Sequence, residues 1–441
     1  MRDRRQDAGA RLRSPGLPLP TEPAFWRSPV RGVRFTAVLG LVLLAGITVL
    51  FVTGLLSYAA YNPDLATVND KTPGRGWLGF YLFDWPTGPH WLYRLTQGIH
   101  VTLGIVLVPV LLAKLWSVVP KLFALPPVRS AGHALERLSL LLLVGGALFE
   151  FVTGLLNIQL EYLFPGSFYP LHFYGAWVFF AAFLAHTCLK LPRALRVLRR
   201  GLPVAENEPA AKNDPAAENE RAAEPDELAS PRPAAPTVSR RGALAVVGAG
   251  SLLLLVTSAG RSFDGALRRT ALLTPRGGAE PGQGPNAFQI NKTAAKVGIP
   301  PAETGDAWRL TLVGPAGEVR LSRAELLAMT QHSAALPIAC VEGWSTSDQW
   351  WRGVRLRDLA ALAGFPDGPP GVLVESLQRS GPFRSVALRD NQVRDPLSLL
   401  ALGVNGEALS PDHGYPARVI VPAAPGVMNT KWVSRLTFGE L

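Results

Sequence analysis

The residue whose chemistry stands out is Cys340, one of two cysteines in the 441-residue chain. It lies in LPIACVEGWS, residues 336–345, an apolar run with a proline near its start and Gly343 after it. Such a run predicts a short buried strand, 336–340, that ends in a turn. A thiolate is a soft ligand that suits a redox metal, whereas a buried thiol can equally be a small core side chain. This stretch alone leaves both interpretations open.

A second group of polar residues follows near the C-terminus, in DHGYPARVIVPAAPGVMNTKW, residues 412–432. His413, Arg418 and Lys431 surround a predicted strand and offer cationic and hydrogen-bonding groups to an anionic ligand. Three tryptophans shortly after the cysteine could wall a pocket: Trp344, Trp350 and Trp351. These features favour a ligand-binding role for the sulfur over simple packing.

Residues 286–441 resemble the sulfite oxidase family of molybdenum-cofactor enzymes, which includes the periplasmic protein-methionine-sulfoxide reductases. Four segments carry the resemblance: CVEGWS, WWRGVRLRDLAALAG, LLALGVNGEALSPDHGYPARVIVP and KWVSRLTF. The resemblance implies that the Cys340 thiolate binds molybdenum beside the dithiolene of a pterin. It also implies that His413, Arg418 and Lys431 contact the pterin or its phosphate, and Asn291 is assigned to the same cofactor.

The sequence departs from the family pattern in two ways, of which the first bears on the substrate. Sulfite-oxidising members have an arginine shortly after the metal-binding cysteine, where this chain has Ser345 and Thr346, and the upstream stretch FQINKT, residues 288–293, also lacks one. An arginine-rich oxyanion pocket is therefore not expected. Because the chain ends soon after KWVSRLTF, the C-terminal dimerisation domain of the vertebrate-type enzymes is not expected either.

The first 260 residues are strongly apolar and predict an integral membrane protein, and the length allows two or three domains. Five runs are long enough to cross a bilayer: 33–58, 91–118, 138–160, 171–191 and 243–260. Basic residues cluster at the N-terminus and in 114–137 and 190–200, whereas 64–84 and 161–167 are poor in them. By the positive-inside rule the N-terminus, 1–32, is cytoplasmic and the C-terminal domain lies outside the cytoplasmic membrane. The net charge of +11 is thus attributed to topology and not to nucleic-acid binding.

A repeat relates the first two spans to the next two. The hexapeptide FVTGLL occurs at 51–56 and at 151–156, and aligning the helices that follow matches His100 to His172. Ionisable residues within a membrane span are costly and usually functional, and paired imidazoles are ordinary axial ligands of haem. His186 follows His172 by 14 residues, which returns to nearly the same helix face about 21 Å along the axis.

This pattern resembles the di-haem b-type cytochrome subunits of membrane-bound dehydrogenases. The resemblance implies that residues 33–200 form a four-helix haem-binding domain, with an outer haem between His100 and His172 and an inner haem on His186. The first span lacks the histidine that the family has near its start, because the chain has RGVRF at 31–35. The partner of His186 is therefore open, with His133 as the candidate and a single-haem protein as the alternative.

Residues 201–238 are dense in Ala, Pro and Glu and predict a disordered cytoplasmic linker. The segment 239–260 begins SRRGALAVVG and predicts a fifth span, either with a plain basic flank or as a twin-arginine export signal kept as an anchor. Export of a folded domain would suit a pterin cofactor that is inserted in the cytoplasm. A tether is predicted at 261–285, which is rich in Gly, Pro and Arg.

Short β-rich runs interrupted by helical pieces predict an α+β domain at 286–441. The complete interpretation is an extracytoplasmic molybdopterin oxidoreductase, acting by oxygen-atom transfer, that is fused to its own haem-bearing membrane domain. Without the sulfite-pocket arginines, a reductase of S-oxides or N-oxides supplied by quinol is favoured. The alternatives are a sulfite-type dehydrogenase that passes electrons to the quinone pool, and a metal-free external interaction module.

Overall fold

A computed structural model describes residues 19–22, 25–65, 68–69, 80–123, 130–158, 168–199, 233–263, 265–273, 284–379 and 384–441. The predicted disordered linker, 201–238, lies outside the described residues except for its last six positions, and so does the side chain of His133. The chain divides into two compact units. One comprises Met1–Leu44, Pro109–Val144 and Ala182–Ala249, and the other comprises Ala45–Val108, Gly145–Ala181 and Gly250–Leu441.

Six long helices occupy the N-terminal part of the described chain. They are α1 Val33–Ala59, α2 Leu92–Val106, α3 Val108–Phe123, α4 Ala131–Asn157, α5 Tyr169–Arg199 and α6 Arg240–Ala259. Among the described residues, four helices are long and apolar enough to cross a membrane, or five if α2 and α3 count as one broken span. The five predicted helical segments are confirmed as helices, while their place in a membrane remains a prediction.

The second predicted span is bent by 42° between α2 and α3. Pro109 follows directly on the break at Leu107, and a proline removes one backbone hydrogen bond and clashes with the preceding turn. The sequence therefore explains why this span is two helices instead of one.

The C-terminal part contains two sheets of mostly antiparallel strands with short helices between them. In the first sheet, the order β2-β1-β10-β5-β6 joins Gly317–Ser322, Arg309–Gly314, Val433–Phe438, Gly371–Ser376 and Ser385–Arg389. In the second sheet, β4 Gln349–Arg355 lies between β3 His332–Leu336 and β7 Leu399–Val404. Strand β7 also pairs with two short strands, β8 Glu407–Ala408 and β9 Arg418–Ile420. Four short helices complete the domain: α7 Pro301–Thr304, α8 Arg323–Ala328, α9 Leu356–Leu362 and α10 Asp390–Arg394.

Alternating apolar residues build the core of this domain. Leu310 and Leu312 of β1 are fully buried, as expected for one face of a strand, and Leu356 and Leu359 of α9 belong to the same apolar cluster. A capping box between Ser322 and the first turn starts α8. The predicted α+β character is confirmed.

One predicted strand is wrong. Residues 336–340 were expected to form a strand, but β3 ends at Leu336. Pro337 lacks the N–H that the next ladder bond needs. Beyond it, Ala339 forms two isolated bridges, to Ser345 and to Pro425. The segment that carries Cys340 is thus an irregular connection between β3 and β4.

Candidate functional site

Cys340 occupies a tight turn and is 5% exposed. Its N–H donates to the carbonyl of Trp344 at 2.8 Å, and the N–H of Gly343 donates to the carbonyl of Cys340 at 3.0 Å. Gly343 has φ +85°, a left-handed conformation that favours glycine. The turn therefore fixes the backbone on both sides of the sulfur.

Ser345 and Thr346, where the family pattern has an arginine, tie this turn to its surroundings. The Thr346 hydroxyl accepts from the N–H of Ile338 at 2.9 Å, and the Ser345 N–H donates to the carbonyl of Arg261 at 3.2 Å. The guanidinium of Arg268 donates to the Ser345 carbonyl at 2.5 Å. One guanidinium, that of Arg268, thus reaches the turn from another segment of the chain, whereas Arg261 contacts it through its backbone.

The predicted tether, 261–285, needs correction at its start. The segments Gly260–Ser262 and Gly265–Thr270 are short 3₁₀ helices, and Arg261 is 1% exposed. Hydrogen bonds to the Cys340 turn hold this part in place, which a composition rich in Gly and Arg does not reveal. Residues 274–283 of the tether lie outside the described residues.

A small open cleft lies in the part of the domain that contacts Ala339, the residue before Cys340. Most of its exposed surface is apolar, but six of its nine lining residues carry polar or charged side chains: Asn291, Lys292, Gln378, Asn429, Thr430 and Lys431, beside Gly426, Val427 and Trp432. The N–H of Gly426 donates to the carbonyl of Ala339 at 2.7 Å, so the lining contacts the residue next to Cys340. A Cβ on Gly426 would lie 2.9 Å from that carbonyl, which explains the glycine.

Two of the predicted cofactor-binding residues, Asn291 and Lys431, line the cleft. The ammonium of Lys431 donates to the carbonyls of Lys292 and Asp412, each at 2.8 Å. These backbone bonds hold the ammonium of this lining residue at a defined place. An anionic group bound there would meet a preset cation.

The other two, His413 and Arg418, are buried and do not belong to the lining. Nε2 of His413 lies 2.8 Å from the carbonyl oxygen of Asn286, and its ring stacks on Phe288 with centroids 3.8 Å apart. Arg418 lies over the ring of Trp351, 5.4 Å from its centroid, and donates to the His413 carbonyl at 3.4 Å. His413 therefore orders the stretch that leads to Asn291.

Burial sets the charge states of this pair. Desolvation first, and the nearby Arg418 second, lower the pKa of His413 to about 3, so this imidazole is neutral at neutral pH. Burial also lowers the pKa of Arg418 to about 9, which leaves it a cation there. Arg418 has no ion-pair partner among the described residues. A buried cation of this kind is costly, and it suits a site that receives an anion.

Buried polar atoms without partners mark the same region. Within the described part of the chain, Nδ2 of Asn429, Oγ1 of Thr430 and Nε of Arg418 make no hydrogen bond, although buried polar groups are nearly always paired. Sequence reasoning missed Asn429 and Thr430, whose only signal was their position directly before Lys431. It also missed Gln378, which is distant in the sequence and gives no signal at all.

A second site is formed by His100 and His172, which the repeat had matched. Their ring centroids lie 6.3 Å apart and their planes are at 86°. Two imidazoles bound to opposite sides of one metal, at about 2.0–2.1 Å per nitrogen, place their centroids about 6 Å apart. The spacing of this pair therefore fits axial ligation of one metal ion.

The FVTGLL repeat orients both imidazoles in the same way. Oγ1 of Thr53 lies 3.0 Å from Nδ1 of His100, and Oγ1 of Thr153 lies 3.0 Å from Nδ1 of His172. Each threonine hydroxyl already donates to the carbonyl four residues earlier at 2.7 Å, so its oxygen accepts from the imidazole Nδ1–H. That leaves the lone pair of Nε2 for a metal.

The glycine of each repeat gives the imidazole room. A Cβ on Gly54 would lie 3.2 Å from Cε1 of His100, and a Cβ on Gly154 would lie 3.2 Å from Cε1 of His172. The two halves differ at one contact, because His100 Nδ1 approaches the Leu50 carbonyl at 3.0 Å. The equivalent place beside His172 holds the Glu150 carboxyl, 3.1 Å from Nδ1.

The described residues do not test the predicted inner haem. His186 lies half-buried on α5, and the side chain of His133 on α4 is outside the described residues. The residue that stands 14 positions after His100, as His186 stands after His172, is Lys114. Its ammonium donates to the Thr36 carbonyl at 2.7 Å.

Comparison with protein-family models matches residues 296–440 to the oxidoreductase molybdopterin-binding domain. The uncharacterized oxidoreductase YuiH of Bacillus subtilis (strain 168) is 31% identical over 141 residues, covering 32% of this chain and 69% of YuiH. The chain belongs to the molybdopterin-binding oxidoreductase family. Its C-terminal part is thus a molybdopterin domain, and the predicted oxidoreductase is confirmed.

Two named enzymes are also similar to the molybdopterin domain. The NADH nitrate reductase of Volvox carteri is 36% identical over 110 residues, and the mitochondrial sulfite oxidase of Rattus norvegicus is 31% identical over 158 residues. The chain covers only 12% and 29% of these two proteins. The solved sulfane dehydrogenase SoxCD of Paracoccus pantotrophus is 26% identical, with 31% of this chain and 39% of that chain covered and a TM-score of 0.28.

The residues at the cleft fit a molybdenum–molybdopterin cofactor. The cofactor is anionic and rich in hydrogen-bonding groups. Three residues that line the cleft suit it: Lys431 carries an ammonium, and Asn429 and Thr430 carry buried polar atoms that make no hydrogen bond within the described part of the chain. A thiol lies one residue from the contact between Ala339 and Gly426, and thiolate is a ligand suited to a soft redox metal. The donor set and the charge thus agree with the family.

Proposed function

We propose that this chain is a membrane-anchored oxidoreductase that reduces S-oxides or N-oxides outside the cytoplasm, with electrons delivered from quinol through a b-type haem. The observation that carries the proposal is the His100–His172 pair, whose spacing and orientation suit a haem iron. This pair belongs to the same compact unit as the Cys340 turn and the cleft. One chain thus combines a site for a one-electron carrier with a site for a two-electron centre.

In this proposal the chain's own side chains hold the molybdenum cofactor at defined atoms. The Cys340 sulfur would bind the metal, Lys431 and Arg418 would balance the charge of the phosphate, and Asn429 and Thr430 would bond to the pterin. When bound, the cofactor supplies oxygen-atom transfer coupled to a two-electron change. The neutral His413 keeps residues 286–288 in place and so positions Asn291.

The proposed reaction balances without a further reactant. Reduction of an S-oxide consumes two electrons and two protons and yields the sulfide and water. Oxidation of one quinol to quinone releases two electrons and two protons. His100 and His172 would hold a haem, which would supply one-electron transfer, so each turnover would need two such transfers.

The haem count in this proposal is one. A second haem would need a partner for His186, and the position that corresponds to it in the first half of the repeat is Lys114, whose ammonium is bonded to the Thr36 carbonyl. The alternative with two haems would require His133 as the missing ligand.

The location follows from helices and charge. Five apolar helical spans, with α2 and α3 counted together, and the distribution of basic residues support an N-terminus in the cytoplasm and a C-terminal domain outside. The paired arginines at the start of α6 support export of the folded domain by a twin-arginine route.

A sulfite-type dehydrogenase is the second candidate, and one observation favours it. Although Ser345 and Thr346 replace the expected arginine, the guanidinium of Arg268 contacts the Ser345 carbonyl, so a cation lies near the turn. Such an enzyme would convert sulfite and water into sulfate, two protons and two electrons, and would pass the electrons through the haem to quinone.

The direction of flow is tested on the purified full chain in detergent. The haem is reduced with a limiting amount of dithionite, methionine sulfoxide is added, and the haem spectrum is followed. We expect reoxidation in the wild type and in Cys188→Ser, and none in Cys340→Ser. If sulfite reduces the haem and no S-oxide or N-oxide reoxidises it, the protein is the sulfite-type dehydrogenase instead.

A further inference from the structure

One face of α2 connects the histidine pair with the Cys340 turn. Tyr93, Gln97 and His100 lie on one stripe of this helix, because positions four and seven residues apart share a face. Tyr93 precedes His100 by seven residues, which is two helical turns or about 10 Å along the axis. The outer end of the stripe contacts the turn directly.

The contact involves both a hydrogen bond and close packing. The Gln97 amide donates to the carbonyl of Val341, the residue after Cys340, at 2.6 Å. A Cβ on Gly343 would lie 2.8 Å from Cβ of Val101, so only the bare backbone of the turn fits against the helix. Two consecutive turns of α2 therefore contact the segment that carries the sulfur.

Tyr93 lies between the two sites. It is 1% exposed and packs in one apolar cluster with Ala339, the residue before Cys340. Its phenol is also close enough to Cys340 for the two groups to influence each other electrostatically. An aromatic ring thus packs near the residue that precedes Cys340, on the helix face that carries His100.

The connection between α1 and α2 fixes this arrangement from outside. The side chain of Asn69 pairs with the backbone of Ala387 in β6, donating to its carbonyl at 2.7 Å and accepting from its N–H at 2.9 Å. The Asp64 carboxylate accepts from Arg389 at 2.6 Å, and the indole of Trp85 donates to the Ala423 carbonyl at 2.7 Å. Asn69 and Trp85 are buried, and buried, satisfied hydrogen bonds make a contact rigid and unique.

We propose that the α2 face of Tyr93, Gln97 and Val101 is a fixed electron-transfer contact between the haem held by His100 and the centre on Cys340. This inference rests on the proposed function and adds the route by which electrons pass from the haem to the centre on Cys340. Electrons cross singly by tunnelling, no bond forms or breaks, and the rate depends on the short packed path. No domain motion precedes the transfer, because the contact is permanent.

The first experiment measures transfer within the chain. Dithionite-reduced full-length protein is mixed with methionine sulfoxide, and haem reoxidation is followed in a single turnover. We expect Gln97→Ala and Tyr93→Leu to be several-fold slower, with Tyr93→Phe near the wild type because it keeps the ring. The matched control is Ile99→Ala, on the same helix but 39% exposed, which should not change the rate.

Three further readouts separate the route from general damage. Molybdenum and haem contents should be unchanged in the Gln97 and Tyr93 variants, and reduced methyl viologen, which feeds the molybdenum centre without the haem, should support normal turnover. Amide exchange in residues 340–345 should be slow in the wild type and faster in Gln97→Ala. Loss of molybdenum from Tyr93→Leu would instead make Tyr93 part of the cofactor site and overturn its role in transfer.

Solvent viscosity tests whether the contact is fixed. We expect the reoxidation rate to be the same in buffer and in concentrated sucrose. A rate that falls in proportion to viscosity would show a moving domain, and equal rates in all variants would place the route elsewhere; either result overturns the inference. A wild-type protein without haem would refute the proposed function, whereas the exchange measurement would still test the contact itself.

Discussion

The imidazole rings of His100 and His172 lie 6.3 Å apart, and each is oriented through Nδ1 by the threonine of one copy of FVTGLL. Glycine at the next position of each copy leaves space for the ring. Sequence repetition and metal-binding geometry thus coincide at these residues.

Removal of either imidazole should remove the haem. We expect His100→Ala and His172→Ala to lose the haem spectrum, because a low-spin iron needs both axial nitrogens. Under the single-haem account, His186→Ala is the matched control and keeps the full haem content in a pyridine haemochrome assay. Loss of half the haem from His186→Ala would favour two haems.

The threonines should tune the haem without being essential for binding. Thr53→Val keeps the shape but removes one of the two acceptors near Nδ1 of His100, leaving the Leu50 carbonyl. The imidazole becomes a weaker donor to the iron, which raises the midpoint potential of the haem. Loss of such a partner typically lowers metal affinity about 10–100-fold. The control is Thr257→Val, whose hydroxyl makes the same kind of bond to the carbonyl of Leu253 but contacts no histidine. Redox titration measures the midpoint potential of the haem in both variants. An equal change in Thr53→Val and Thr257→Val would contradict the role of the Thr53 hydroxyl.

Gly154→Ala should reduce haem occupancy. The new Cβ would lie 3.2 Å from Cε1 of His172, so the ring must shift by a few tenths of an ångström and the metal geometry is disturbed. Gly145→Ala, in the same helix, adds a Cβ with nothing within 4 Å and should gain about 0.5–1 kcal/mol in stability, because glycine is unfavourable within helices. Equal haem contents in the two variants would argue against a packed site at Gly154.

His413 should make the molybdopterin domain sensitive to mild acid. Its pKa is about 3 in the folded chain against 6.5 for an ordinary histidine, so between these values the unfolded state binds more protons. Stability is therefore complete above pH 6.5 and falls as the pH drops towards 3, with about 2 kcal/mol lost between pH 7 and 5. Amide exchange of residues 413–421 at these two pH values should show this loss in the wild type and a smaller one in His413→Gln. His332→Gln is the control, and a loss as large in His413→Gln as in the wild type would contradict the assignment.

The sequence was sufficient for the elements that depend on composition or repetition. The apolar runs predict the helices, and the repeated hexapeptide matches His100 to His172 without structural information. The short β-rich runs predict the α+β domain, and the four family segments, which occur in one order, single out Cys340. These features are local, or are repeated at a constant offset.

The remaining features depend on contacts between distant segments. Gln378 and Asn291 reach one cleft only because the sheets fold them together, and Gln97 meets Val341 across 244 residues. The strand predicted at 336–340 failed because Pro337 interrupts the ladder. Composition suggested a loose tether where Arg261 is in fact buried, since hydrogen bonds to the Cys340 turn outweigh local flexibility.

The central claim is that one sulfur and one pair of imidazoles in the same chain hold two different redox centres. The most direct measurement is the molybdenum and haem content of the purified full chain and of its single variants. We predict one molybdenum and one haem per chain, with molybdenum lost in Cys340→Ser, haem lost in His172→Ala, and both kept in Cys188→Ser. A wild-type protein that contains molybdenum but no haem, or in which Cys340→Ser keeps its molybdenum, would contradict the account.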